Sequence, residues 1–330
     1  MFEVRNYTPY ATERAILMDG RGAESWVVIV RGTFAVVGGA CAPAEAQEPV
    51  ALADEYHGRP GESSQRYESD LALAKPGTDV LVNGHARGRD GRRVRQVDVS
   101  LRVAGISKAL RVHGDRTWER GFGLSPSAPE PFEGIPLVWE RAFGGVDPVV
   151  GTADGEPYEE RNPVGVGFAV RASHLVGTPL PNLEDPRAPI GSWDDRPAPA
   201  GLGVVSKSWQ PRRGWGGTYA RAWQEERLPL WPEDLDPRFF QAAPPDQVTR
   251  GHLRGGERVR LEGMTPEGVL EFDLPRVTLG FTTLLGGTKV EHRGELDTVV
   301  IEPDVPRVLL TWRTRVPCHR RKFELEWTRV

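Results

Sequence analysis

The sequence predicts a mainly β protein: an antiparallel sandwich-like or barrel-like scaffold carrying long Pro/Gly-rich loops and one or two short helices. Three observations lead there. The clearest hydrophobic periodicity is two residues, the signature of a strand with one face turned inward. Gly and Pro, at 38 and 29 of 330 residues, punctuate the chain into short pieces. Hydrophobic residues make up 38% of a chain long enough to bury a sizeable core.

Residues 25–37 (SWVVIVRGTFAVV) and 94–103 (VRQVDVSLRV) are rich in β-branched and aromatic side chains and read as strands. Residues 79–86 (DVLVNGHA) precede the second of these across Asp90-Gly91, a pair suited to the positive φ of a tight turn, so 79–86 and 94–103 are expected to form a hairpin. Further strand-like pieces follow at 109–113, 136–141, 257–262, 269–274, 276–282, 298–302, 307–313 and 322–327. Between about 144 and 247 the chain changes character. X-Pro steps in RNPVGVGF, TPLPNLEDPRAPIG, RPAPAGLGV and AAPPDQ hold it extended without continuing a ladder. One helix is expected over 218–228 (TYARAWQEERL), stopped by Pro229 and Pro232, with a second short turn over 232–240. A loop this long must be pinned, and its many aromatic rings are the means. The chain reads as one unit over 1–330, or as two β lobes, about 1–145 and 246–330, joined by an aromatic central segment of about 146–245.

Forty-two basic and 46 acidic residues give a net charge of −4, so no positive field favours nucleic acid. Two cysteines, Cys41 and Cys318, make no disulfide framework and fit a reducing cytosol. With no apolar run near 18 residues and no secretory signal, a soluble cytoplasmic protein without membrane insertion is expected.

Chemical motifs are sparse. Gly165-Val-Gly167 and Gly201-Leu-Gly203 lack the third glycine and the following helix of a dinucleotide site. The seven histidines are scattered; His57 with Glu55, or His252 with His292 and His319, are the candidate metal groupings, and solvated or singly bonded rings are the more frequent outcome. Neighbouring acids at Asp54-Glu55, Glu159-Glu160, Asp194-Asp195, Glu225-Glu226 and 232–236 are the material for a glycosidase pair, yet adjacent acids on a strand face opposite ways. No cofactor, metal or catalytic set is expected. Ten tryptophans carry the stronger signal. Trp209, Arg212, Arg213, Trp215, Tyr219, Trp223, Arg227 and Trp231 crowd one proline-bounded segment, and Trp, Tyr and Arg are the residue types that dominate protein interfaces. All of these but Arg213 are the candidate partner-binding residues, with the alternative that the rings simply glue loops to the scaffold.

The stretches DVLVNGHARG, KALRVHGDRTWER, PFEGIPLVWERAFGG, RNPVGVGF, LPNLEDP, GTYARAWQEERLPLWPEDLDPRFFQAAPPDQ, GGERVRLEGM, LDTVVIEPD and VLLTWR, taken in order, resemble a bacterial family labelled a domain of unknown function, numbered 2169. Ala220 stands where that family commonly carries an acid. The resemblance implies an accessory protein of the type VI secretion system. Such an adaptor or chaperone binds and stabilises an effector toxin, then helps load it onto the VgrG or PAAR spike. A hydrolase acting on cell-wall glycan or peptide is the alternative from another class.

Overall fold

The computed structural model describes residues 2–151 and 157–330; within the central segment, 152–156 lie outside that description. Its largest sheet is organised on the strand Glu24–Val37, whose run of β-branched and aromatic residues is buried almost throughout, as befits a strand covered on both faces. Ala11–Met18 and Ala40–Pro43 pair with its outer side, antiparallel. On the inner side lie Arg307–Pro317, then Glu295–Glu302, and finally the short buried strand Asp79–Val82, which joins parallel. A five-stranded sheet runs Leu183–Glu184, Ile106–His113, Gln96–Val103, Arg258–Glu262, Val269–Asp273, antiparallel throughout. A four-stranded sheet places Glu3–Arg5 beside Leu325–Arg329, followed by Gly280–Leu285 and Thr288–Arg293. Four two-stranded pairs complete the strands, and among the described residues no sheet closes into a barrel.

The architecture is therefore mainly β and sandwich-like, with long loops and, among the described residues, two short α-helices, Arg212–Trp215 and Arg221–Glu226. Each of the three larger sheets combines strands from before residue 145 with strands from after residue 246. One apolar cluster runs across them, from Trp26, Val28 and Phe34 through Val99, Leu101 and Leu110 to Val259, Phe281 and Leu310. Each such side chain contributes about 1.5–3 kcal/mol by leaving water.

The opposite face of the central sheet is different. There Val27 and Ile29 meet Val50, while buried ion pairs join Arg31 to Asp70 (3.2 Å), Arg313 to Asp297 (2.6 Å) and Lys75 to Asp79 (2.7 Å).

The hairpin expected between 79–86 and 94–103 does not form. Asp90 and Gly91 do adopt positive φ, 56° and 68°, but they close the 3-10 turn Arg89–Gly91. Asp79–Val82 is buried on both faces and needs a sheet around it, which it finds beside Glu295–Glu302. Gln96–Val103 instead turns at Ala104-Gly105, with Ala104 at φ 50°, to pair with Ile106–His113. Three other expectations shift. Residues 136–141 divide into the strand Gly134–Pro136 and the 3-10 turn Trp139–Arg141. The piece at 276–282 moves to Gly280–Leu285, and that at 322–327 to Leu325–Arg329.

Candidate protein-binding surface

Within the central segment, the stretch 202–247 is fastened at both ends to the edge strand Asp79–Val82. The Asp79 carboxylate accepts from Gln241 Nε2 (2.7 Å) and from the backbone of Ala242 and Ala243, and Val82 N–H donates to Leu202. Gln247 Nε2 bridges the carbonyls of Val80 and Leu202. Between these fixed ends the residues expected to bind a partner divide into two groups.

Trp209 and Arg212 belong to the interior. Trp209 meets Trp139 edge to face at 6.1 Å. Arg212, 1% exposed, donates to the carbonyls of Phe239 and Val205 and lies 2.9 Å from Glu68. Its charge is thus answered by one buried carboxylate and its remaining N–H groups by backbone oxygens, the arrangement that makes a buried guanidinium tolerable. Trp215, half-buried, lies beneath the Arg238 guanidinium at 4.7 Å.

Tyr219, Trp223, Arg227 and Trp231 lie on a projecting arm over residues 217–235. Its base is stapled by Asp234, which accepts from the backbone and hydroxyl of Thr218, and Gly217 at φ 87° leaves no room for a Cβ against Pro232 and Asp234. The helix expected over 218–228 is confined to Arg221–Glu226. Ala220 is its N-cap, with extended backbone and no side-chain cap, so one reason for the shorter helix is the missing acceptor. Tyr219 packs edge to face on Trp223 at 4.7 Å, and the Trp223 indole donates to Leu230 O. Trp231 rests against Phe239 and Phe240. Arg227 reaches out of the arm to Gly20 O (2.6 Å), while a Leu230 methyl sits over Gly22, so the arm is clipped to the turn after Ala11–Met18. Tyr219 (49%), Leu228 (62%) and Trp231 (37%) remain exposed. Leu228 lay unnoticed in the sequence because a single Leu beside proline carries no periodic signal. A cavity of about 490 Å³, lined by Gly20, Arg21, Arg227, Trp231 and Leu235, lies between the arm and that turn.

A second cavity, about 590 Å³, opens near the fixed base, with walls from Leu110, Trp139, Pro199, Val205, Pro211 and Pro244. Lys108 lines it with Nζ 2.9 Å from Asp246; burial lowers its pKa, against the pull of that carboxylate.

Several of the residues named for catalysis are occupied elsewhere. Asp54 accepts from Gln65, Glu159 is gripped by Arg161, Asp195 caps the backbone of Gly191 and Ser192, and Glu225 pairs with Arg221. His252 bonds the Lys75 carbonyl, while His292 lies between Thr283 and Thr314, where burial holds its pKa down at about 4. Among the described residues no three His, Cys, Asp or Glu side chains gather as metal ligands. Burial pushes the Cys41 thiol up to about 11. No helix among the described residues is long and apolar enough to cross a membrane.

Residues 21–313 match the family described as "Uncharacterized protein conserved in bacteria (DUF2169)". The chain belongs to this family. The DUF2169 match takes in the whole aromatic segment, the arm included, together with the central sheet except for Ala11–Met18 and the end of Arg307–Pro317. No curated protein and no solved structure matches the chain.

Proposed function

We propose that this DUF2169 protein is a non-catalytic cytoplasmic adaptor that holds an effector toxin of the type VI secretion system and helps load it onto the VgrG or PAAR spike. One observation carries the reading: the arm displays Tyr219, Leu228 and Trp231 to solvent while its base is locked into the scaffold. Aromatic side chains presented on a pre-formed support lose little conformational freedom when a partner covers them, which is what an interface anchor requires. The hydrolase alternative has less behind it, since Asp54, Glu159, Asp195 and Glu225 among the acids named for it are engaged by arginines, a glutamine and backbone N–H groups.

Co-expression of the tagged protein with the products of its neighbouring genes tests the proposal. An effector and a spike protein should be recovered with it. Each aromatic anchor is worth about 2–4 kcal/mol on truncation, so Tyr219→Ala with Trp231→Ala should abolish recovery while leaving the melting transition in place. Undiminished recovery by the folded double variant would remove the arm from the interface; failure of the native chain to recover either partner would remove the adaptor reading.

A further inference from the structure

Three open sheet edges differ in how they are guarded. On Thr288–Arg293, Lys289, Glu291 and Arg293 point to solvent, the usual defence of an edge against unwanted pairing. On Val269–Asp273, Glu271 and Asp273 are tied to Arg260 and Arg258 of the neighbouring strand, and the Glu271 carbonyl is approached by Gly39. Ala11–Met18 is the longest of the three, at eight residues; it carries the charges of Glu13 and Arg14 only in its first half and exposes the apolar Ile16 and Met18 in its second. It pairs only with Glu24–Val37, and among the described residues none of its backbone groups bonds to anything beyond that pairing. The N–H and C=O groups that point outward, every second residue, are therefore unsatisfied by protein.

Its side chains are half-finished in the same sense. Arg14, Ile16 and Met18 share one face and are exposed, opposite Val28, Trp26 and Glu24 on the long strand. On the other face, Leu17 packs on the Val27, Ile29 and Val50 cluster. Neither Glu13 nor Arg14 has an ion-pair partner among the described residues. A seventh strand for this sheet is thus specified chemically: laid here, it would cover Ile16 and Met18 with alternate apolar side chains, set an acid against Arg14 and a base against Glu13.

We propose that the outer edge of Ala11–Met18 is a strand-addition site for an extended segment of another polypeptide, apolar at alternate positions with an acid opposite Arg14. The site is separate from the aromatic arm, and it rests on the adaptor reading only for the source of the strand. Main-chain hydrogen bonds supply the affinity, and the alternate side chains supply the choice of sequence.

The probe is a dye-labelled synthetic peptide, Val-Thr-Ile-Thr-Glu-Lys-Val-Thr, written to pair antiparallel with residues 11–18, titrated against the full chain by fluorescence anisotropy. Saturable binding is expected. N-methylation of one alternate set of peptide amides should weaken it by about tenfold or more, and methylation of the other set should leave it nearly unchanged, because only one set faces the edge. Arg14→Glu should weaken the native peptide by about tenfold, and replacing the peptide's Glu with Lys should restore binding, a rescue that a misfolded variant could not give. No saturation up to about millimolar peptide, or equal loss from both methylated sets, overturns the proposal. So does sedimentation showing the edge already closed in a dimer that Ile16→Lys with Met18→Lys dissolves. None of these outcomes depends on effector recovery, so the edge and the adaptor reading fail separately.

Discussion

Arg212 and Arg227 sit fifteen positions apart in one aromatic segment, and the fold uses them in opposite ways. Arg212 is sealed inside, facing Glu68 and the carbonyls of Val205 and Phe239. Arg227 works at the surface, tethering a displayed arm to Gly20. The rings divide likewise, Trp209 against Trp139 in the core and Tyr219 with Trp231 in the open. Residue type alone therefore marks a region of high interaction capacity; which residues spend that capacity internally depends on whether a buried carboxylate and free carbonyls lie within reach.

The contrast is open to measurement. The largest effect belongs to Arg212→Ala, which strands Glu68 without its closest cation and should cost about 3–5 kcal/mol, read as a lowered urea midpoint. A loss below about 1 kcal/mol would erase the distinction between base and arm. Next comes acidity acting on the scaffold rather than the arm. His292 is held neutral when folded, with a pKa of about 4, whereas the unfolded chain takes up a proton near 6.5. The unfolded state thus binds more protons between those values, so stability is complete above pH 6.5 and falls as the pH drops toward 4, by roughly 2 kcal/mol for this half-buried ring. In His292→Gln the melting temperature should depend less steeply on pH over that window. Arg227→Ala should cost at most about 1 kcal/mol globally, yet release the arm, so that proteolysis within 217–235 accelerates while the melting transition stays put. The smallest change is a gain: Ala220→Asp supplies the missing N-cap and should add about 0.5–1 kcal/mol of local stability, seen as slower amide exchange over 221–226.

Enrichment in β-branched and apolar residues located most of the long strands, because runs such as Val27 to Val30 or Val308 to Leu310 announce burial directly. Pairing was less legible. The Asp90-Gly91 turn was right in its backbone angles and wrong in its consequence, since a turn fixes local geometry while the partner of Asp79–Val82 lies more than two hundred residues away. Ala11–Met18 escaped notice altogether: Ala, Glu, Arg, Leu and Met favour helix in isolation, and only the neighbouring strand's open side makes this stretch extended. The aromatic segment was found as a region, but its division into base and arm hung on Glu68 and Asp79, two acids whose sequence neighbours do not point to that segment.

The interleaving of early and late strands bears on how the protein comes into being. While a ribosome is still making residues 38–306, the Glu24–Val37 strand lacks its inner neighbour Arg307–Pro317, which joins it to Glu295–Glu302. The central and four-stranded sheets cannot be completed until their late strands have been made, and contacts of such long sequence separation predict slow maturation through species with bare strands. Nascent copies should therefore be the form most dependent on general chaperones, and low growth temperature the simplest aid to yield.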